Sequence, residues 1–214
     1  FRFFTTLKRP PREPLSDLAH AIALMGTGPL INAAEQISPL EEHPSSTSKK
    51  PLLKCYSRAA HAAWYAHQLG ELRGDQNPEE MAIAALLHEC GEMALWAHAK
   101  EEMLKIRQLI GRGVDPDEAA LTTLGITLNE LSRGLAKHWF VCELAVNSLR
   151  PEAAFSPRSL GVMLACALAK ESEQSWYTEA TMDLLELISE HSRMPLEKCV
   201  GYAHTLAATI GRNL

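Results

Sequence analysis

The stretch Leu86-Leu87-His88-Glu89-Cys90-Gly91-Glu92 sets an imidazole and two carboxylates at the end of an apolar run, residues 81–87. Asn77 is a favourable helix N-cap, and Pro78 is favoured at the first helical position. A helix that is apolar all round is buried within its domain. The pattern therefore predicts a buried helix over residues 78–97 that carries ionisable side chains.

Helical spacing of apolar residues continues in both directions from this stretch. The further segments that show it are 15–37, 52–72, 99–111, 127–138, 140–149, 158–172, 177–191 and 195–212, with one more helix opening at Asp115-Pro116. Thr127 and Glu130 form a capping-box pattern. Residues 39–51 are polar and contain prolines, which predicts a loop. No segment shows strand alternation or a hairpin signal, so the predicted fold class is all-α.

Composition and charge exclude several classes of protein. Hydrophobic residues make up 46% of the 214 residues, which is enough for a globular core. The net charge is −5 and the pI is near 6.0, so the chain offers no strongly basic surface for a nucleic acid. No apolar run approaches the ~20 residues of a transmembrane helix. We therefore expect neither a nucleic acid nor a membrane as a partner.

The cysteines are Cys55, Cys90, Cys142, Cys166 and Cys199. They are widely separated and form no Cys-x-x-Cys pair, which argues against a zinc ribbon and a disulfide scaffold. Free thiols are typical of a reducing compartment, so a cytoplasmic location is expected. Because the chain does not begin with Met, we interpret residues 1–14 as a tail or as the end of a missing N-terminal part.

The opening stretch resembles the Leu-Leu-His-Asp-x-Gly-Lys core of the HD phosphohydrolase superfamily. Four further segments are similar in order and spacing to helices of one branch of that superfamily, the HDOD domains. These segments are 15–30, 56–69, 125–144 and 160–169. The chain is therefore identified, by resemblance, as a member of the HDOD branch.

This resemblance implies an HD-like helical core with further helices packed on it. The HDOD-like domain is expected over residues 15–172, and residues 173–214 are expected to add a C-terminal helical pair. HDOD domains usually belong to bacterial signalling proteins and often lack the metal ligands of HD enzymes.

HD enzymes bind divalent metals through a His, a His-Asp dyad and a later Asp. By resemblance, the first His falls on Arg58, the dyad on His88 and Glu89, and the last Asp on Cys166. The Lys that follows the family's glycine becomes Glu92. Arginine has no lone pair to offer and stays protonated, and a thiol is a poor ligand for hard metals.

His61 lies three residues after Arg58 and would be the third ligand, with His88 and Glu89, if an ion were bound. Two remaining ligands cannot form a tight catalytic site, so we expect no metal, no cofactor and no catalytic residue. We call the positions that would line the metal site of the HD enzymes the relic pocket. They are Arg58, His61, His88, Glu89, Glu92 and Cys166.

A single histidine on a buried helix is more often a hydrogen-bonded core residue than a metal ligand. His88 and Glu92 are four residues apart, so on one continuous helix they can pair along one face. We therefore interpret His88 as structural.

The predicted function is a non-catalytic signal-transduction or regulatory module that acts through protein–protein contacts. One alternative is a metal-dependent phosphohydrolase acting on a nucleotide. Another is a sensor that binds a nucleotide or another small ligand in the relic pocket without cleaving it.

Overall fold

The structure is a computed structural model, and it describes residues 19, 22, 23, 26–36 and 46–213. All regular elements in these residues are helical, which confirms the predicted all-α class. The α-helices are α1 (Thr27–Gln36), α2 (Ser46–Arg73), α3 (Pro78–Leu86), α4 (Cys90–His98), α5 (Lys100–Gly111), α6 (Pro116–Leu124), α7 (Leu128–His138), α8 (Glu143–Asn147), α9 (Pro157–Gln174), α10 (Glu179–Ser192) and α11 (Leu196–Asn213). A 3₁₀ helix, Pro151–Phe155, precedes α9. The predicted tail, residues 1–14, lies outside the described residues.

Three predicted helix starts are confirmed by side-chain caps. The Asn77 side chain accepts from the Glu80 N–H at 3.1 Å at the start of α3. Asp115 caps α6 in the same way. At α7, Thr127 and Glu130 form both hydrogen bonds of the capping box. Such caps use donors that the first helical turn leaves unpaired, so they depend on local sequence alone.

Three predicted segments have different limits in the structure. The predicted helix 78–97 is interrupted by a turn at residues 87–89, which separates α3 from α4. Residues 46–51 of the predicted loop belong to α2. Pro51 is the sixth residue of that helix, so its missing N–H costs α2 one backbone hydrogen bond. Segment 15–37 is broken at Gly26, whose φ is 74°.

The chain divides into two compact units, each built from separate parts of the sequence. The first unit comprises Phe1–Tyr56 and Glu89–Phe140, and the second comprises Ser57–His88 and Val141–Leu214. Helix α2 contributes its residues 46–56 to the first unit and 57–73 to the second.

The core of the first unit is formed by apolar faces of α2, α4, α5 and α6. Its buried members are Leu52, Cys55, Leu95, Trp96, Met103, Ile106, Ala119 and Ala120. Small alanines on α6 allow that helix to pack closely against α5.

The core of the second unit is larger and lies around α9. Helix α9 packs against α3 and α10, and α10 packs against α11. Buried side chains of the C-terminal helices in this core are Leu185, Ile188, Cys199, Ala203 and Leu206. The C-terminal helices therefore share one core with the C-terminal part of α2.

No helix in the described part of the chain is both long enough and apolar enough to span a lipid bilayer.

Candidate functional site

The turn between α3 and α4 carries the two residues of the dyad, His88 and Glu89. The start of α4 is anchored to α7 within the first unit. The Gly91 N–H donates to the Ser132 hydroxyl oxygen at 3.0 Å, and the Cys90 thiol donates to the Ser132 carbonyl at 3.6 Å. These contacts fix the position of the backbone that follows Glu89.

Three potential metal ligands of the first unit lie together. One ligand atom from each of Cys55, Glu89 and Glu92 can be chosen so that all three lie within 4.8 Å of one another. Cys55, on α2, is fully buried. Glu92, in the first turn of α4, also accepts a hydrogen bond from the Trp96 indole N–H at 3.2 Å. This is the one such group of three within the described ranges, and neither His61 nor His88 belongs to it.

The donor set of this group is mixed. A cysteine thiolate is a soft ligand, whereas carboxylates suit harder ions. Zn²⁺ accepts both kinds of donor, and a catalytic zinc site keeps one position open beside three protein ligands. The group therefore suits a single ion of intermediate softness. It suits less well the metal ions of HD enzymes, whose ligands are His and Asp.

Arg58, in the second unit, forms an ion pair with a carboxylate on another helix of that unit. Its Nη1 donates to the Glu173 carboxylate on α9 at 2.9 Å. The Arg58 residue is only 8% exposed. A guanidinium held in this way cannot coordinate a cation.

His61 lies one turn after Arg58 on α2 and has one ring nitrogen engaged. Its Nδ1 lies 2.7 Å from the Ser57 carbonyl oxygen, which can only accept, so Nδ1 carries the proton. Arg58, His61 and Glu173 line a cavity of about 110 Å³ in the second unit, together with Tyr65. His88 and Cys166 do not line it.

His88 is held as a neutral imidazole. Burial lowers the pKa of His88 to about 4, and Lys170 lowers it further, while a hydrogen bond with the Ser148 backbone opposes the shift. The predicted pairing with Glu92 along one helix face requires a continuous helix. The turn at residues 87–89 removes that continuity.

Cys166, on α9, makes a weak contact in the second unit. Its sulfur lies 3.9 Å from the Ala85 carbonyl oxygen, at the limit for a thiol donor. The relic pocket residues are thus distributed over both units: Glu89 and Glu92 belong to the first, and Arg58, His61, His88 and Cys166 belong to the second.

Sequence reasoning missed Cys55 and Glu173. Cys55 precedes Arg58 by three residues on α2, and this helical spacing could have drawn attention to it. Glu173 is separated from Arg58 by 115 residues, and no sequence signal links the two.

Three solved structures resemble the chain in fold. A protein named as a candidate phosphohydrolase from Shewanella amazonensis SB2B is 16% identical, with a TM-score of 0.57, and the match covers 90% of this chain and 73% of that one. An HDOD domain protein of unknown function from Geobacter sulfurreducens is 19% identical, with a TM-score of 0.60 and coverages of 80% and 65%. The MmoQ response regulator from Methylococcus capsulatus str. Bath is 17% identical, with a TM-score of 0.63 and coverages of 90% and 76%.

At identities this low, the three matches show a shared fold. A common activity does not follow from them. No curated protein matches the chain in sequence. The sequence model of the HDOD domain matches residues 10–153, which is more than half of the chain. The family model and the shared helical fold agree with the resemblance found in the sequence, and the chain belongs to the HDOD domain family.

Proposed function

We propose that this chain is a non-catalytic regulatory module of signal transduction that acts through contacts with a protein partner. The observation that carries the proposal is the Arg58–Glu173 ion pair, 2.9 Å long. By the resemblance in sequence, Arg58 takes the position of the family's first metal ligand. A fixed positive charge there opposes a divalent cation instead of donating an electron pair to it.

The position of the family's last aspartate supports the same proposal. Cys166 offers a thiol that lies near the Ala85 carbonyl. A hard divalent ion prefers carboxylate oxygen to sulfur at such a position. With Arg58 and Cys166 at these two positions, the pair of metal ions used by HD phosphohydrolases lacks two of its ligands.

Exposed aromatic side chains support a role in protein contact. Phe155, at the end of the 3₁₀ helix, is 95% exposed, and Tyr177, just before α10, is 91% exposed. Aromatic residues supply much of the binding energy at protein interfaces. One solved structure of this fold is named a response regulator, a class of signalling protein. None of the five cysteines is in a disulfide, in keeping with the cytoplasmic location that we propose.

Metal content tests the proposal directly. The full chain is stripped with a chelator, dialysed against Zn²⁺, Mn²⁺ or Mg²⁺, and analysed for bound metal and for hydrolysis of bis-p-nitrophenyl phosphate. We expect substoichiometric metal and no turnover beyond that of a Glu89→Gln control. One tightly held ion together with turnover that Glu89→Gln abolishes would overturn the non-catalytic assignment.

Photo-crosslinking tests the contact surface in cells. A photoreactive phenylalanine analogue at position 155 or 177 should trap one discrete protein partner. The same analogue at Leu121, which is 48% exposed in the first unit, is the control. Identical crosslinked products from all three positions would contradict a specific contact at Phe155 and Tyr177.

A metal-dependent phosphohydrolase is the second candidate, and the Cys55–Glu89–Glu92 group favours it. Under this alternative, Co²⁺ added in place of Zn²⁺ would give a thiolate-to-cobalt absorption band. The band would be lost in Cys55→Ser and kept in Cys90→Ser, the neighbouring buried thiol of the same unit. If the regulatory proposal holds, no such band appears in the parent chain.

A further inference from the structure

A cavity of the second unit contains a buried polar group without a partner. It holds about 110 Å³ of space between α2 and α9, with Trp176 and α11 completing its wall. Tyr65, on α2, is 3% exposed. Its hydroxyl oxygen has no hydrogen-bond partner among the residues that the structure describes. A buried hydroxyl left unpaired destabilises the fold, so it marks a position where an incoming group would be favoured.

Tyr65 lines this cavity together with Ser172, whose side chain lies near the Tyr65 hydroxyl, and that hydroxyl can act as a donor. Burial raises the pKa of Tyr65 to about 12, and the nearby Ser172 hydroxyl opposes the shift, so the phenol stays protonated. Ser172 lines the same cavity, but its own hydroxyl is directed to the Ala169 carbonyl at 3.5 Å. The Tyr65 O–H therefore remains available to an acceptor in the cavity.

His61 supplies the complementary acceptor. Because its Nδ1–H donates to the Ser57 carbonyl, the neutral ring has its lone pair on Nε2. The rings of His61 and Tyr65 lie 6.2 Å apart, one helical turn from each other on α2. A donor and an acceptor thus belong to two side chains that line one small space.

The charge of the wall argues against an anionic ligand. The two ionic side chains of the lining, Arg58 and Glu173, are paired with each other at 2.9 Å, so they cancel. A phosphate or a carboxylate would meet no net positive charge and would have to compete with Glu173 for the guanidinium.

Size and shape restrict the ligand further. A cavity of about 150 Å³ can take up benzene, so 110 Å³ suits a single five- or six-membered ring. Trp176 forms part of the wall, and its ring lies against His204 with centroids 4.2 Å apart and an interplanar angle of 34°. A flat aromatic wall favours a planar ring over an aliphatic one.

We propose that this cavity binds an uncharged, planar heterocycle of the lactam or pyrimidine type. The ring carbonyl accepts from the Tyr65 hydroxyl, and the adjacent ring N–H donates to Nε2 of His61. The ligand site shares the Arg58–Glu173 pair with the argument for the regulatory role, but ring binding requires neither a protein partner nor the Cys55–Glu89–Glu92 group.

The test uses the full chain with uracil and 2-pyridone as probes and inorganic phosphate as the anionic comparison. Binding is measured by titration with ligand-detected NMR and by the rise in melting temperature that a ligand of the folded state produces. We expect a dissociation constant near ~1 mM for at least one ring, as is typical of so small a ligand, and no binding of phosphate.

Two variants and a control locate the site. Tyr65→Phe removes only the hydroxyl and should weaken ring binding about tenfold, the loss of one neutral hydrogen bond, while the ligand-free melting temperature stays equal or rises. His61→Leu should weaken binding similarly. Leu121→Ala, at an exposed position of the first unit, should bind as the parent does.

Three results would overturn the inference. The first is the absence of saturable ring binding up to about 10 mM, a concentration well above the expected dissociation constant. The second is equal ring binding by Tyr65→Phe and the parent. The third is a lowered melting temperature of ligand-free Tyr65→Phe, because it would mean that the hydroxyl is already satisfied in the folded protein.

Discussion

At the scale of single residues, Gly91 is a position where the backbone of α4 lies close against α7 in the first unit. A Cβ atom at this position would lie 2.8 Å from the Ser132 hydroxyl oxygen and 3.0 Å from the Leu128 carbonyl oxygen. Real Cβ atoms do not approach so closely, and backbone atoms cannot move aside cheaply. The glycine of the family pattern is therefore required here by the packing of α4 on α7.

Gly91→Ala should lower the free energy of unfolding by about 2–3 kcal/mol, because the added methyl overpacks this contact. Urea denaturation with the linear extrapolation method measures the change. Gly134→Ala on α7 is the matched control, since its Cβ would meet nothing within 4 Å. That variant should be neutral or slightly more stable, because alanine is the better helix former. Equal losses in both variants would contradict the packing argument.

His88 makes stability depend on pH. In the folded chain its pKa is about 4, below its ordinary value of 6.5. As the pH falls through that interval, the unfolded chain takes up a proton before the folded chain does, so acid favours unfolding. His191 adds to this effect, since burial and then Arg73 lower its pKa.

The free energy of unfolding should therefore be highest above pH 6.5 and decline towards pH 4, with His88 contributing at most about 3 kcal/mol. Urea denaturation in a series of buffers measures this profile. In His88→Gln the decline should be shallower, and the part that remains should reflect His191. A profile that His88→Gln leaves as steep as in the parent would rule out His88 as its source.

At the scale of the element, two neighbouring residues on α10, one buried and one exposed, allow the effect of packing to be compared with that of helix formation. Ile188 is 6% exposed and packs in the core of the second unit, whereas Leu187 is 51% exposed. Both are aliphatic side chains of equal size within the same helix. Because the two differ mainly in exposure, comparing substitutions at these positions gives the contribution of tertiary contacts to stability.

Ile188→Ala should cost about 2–4 kcal/mol, because it removes buried methyl groups and leaves a cavity. Leu187→Ala should cost less than about 1 kcal/mol, since an exposed side chain gains little on folding. Thermal and urea unfolding of the pair gives both values. If the two substitutions proved equally costly, Leu187 would have to lie in a contact that the structure does not describe.

At the scale of the whole molecule, each unit is assembled from segments that are distant in sequence. The second unit joins Ser57–His88 to Val141–Leu214. The expected division at residue 172 separates α10 and α11 from the helices with which they share a core. Leu185, on α10, and Leu206, on α11, lie in that core.

A chain truncated after residue 172 should therefore fail to form a cooperatively folded second unit. Loss of its core partners would expose apolar surface, which binds the dye ANS, and would weaken the near-UV circular dichroism. The full chain, measured in parallel, is the reference. A truncated chain with native near-UV signal and one sharp thermal transition would show that the C-terminal helices are dispensable for folding.

The sequence by itself determined the all-α class, the family and three helix starts, because apolar periodicity and capping act over a few residues. Asn77, Asp115 and Thr127 are the caps concerned. The tertiary structure decided that Cys55 joins Glu89 and that Arg58 pairs with Glu173. It also decided that the helix predicted over 78–97 breaks at the dyad. These outcomes depend on which distant helices pack together, and the spacing of residues along one segment carries no information about that choice.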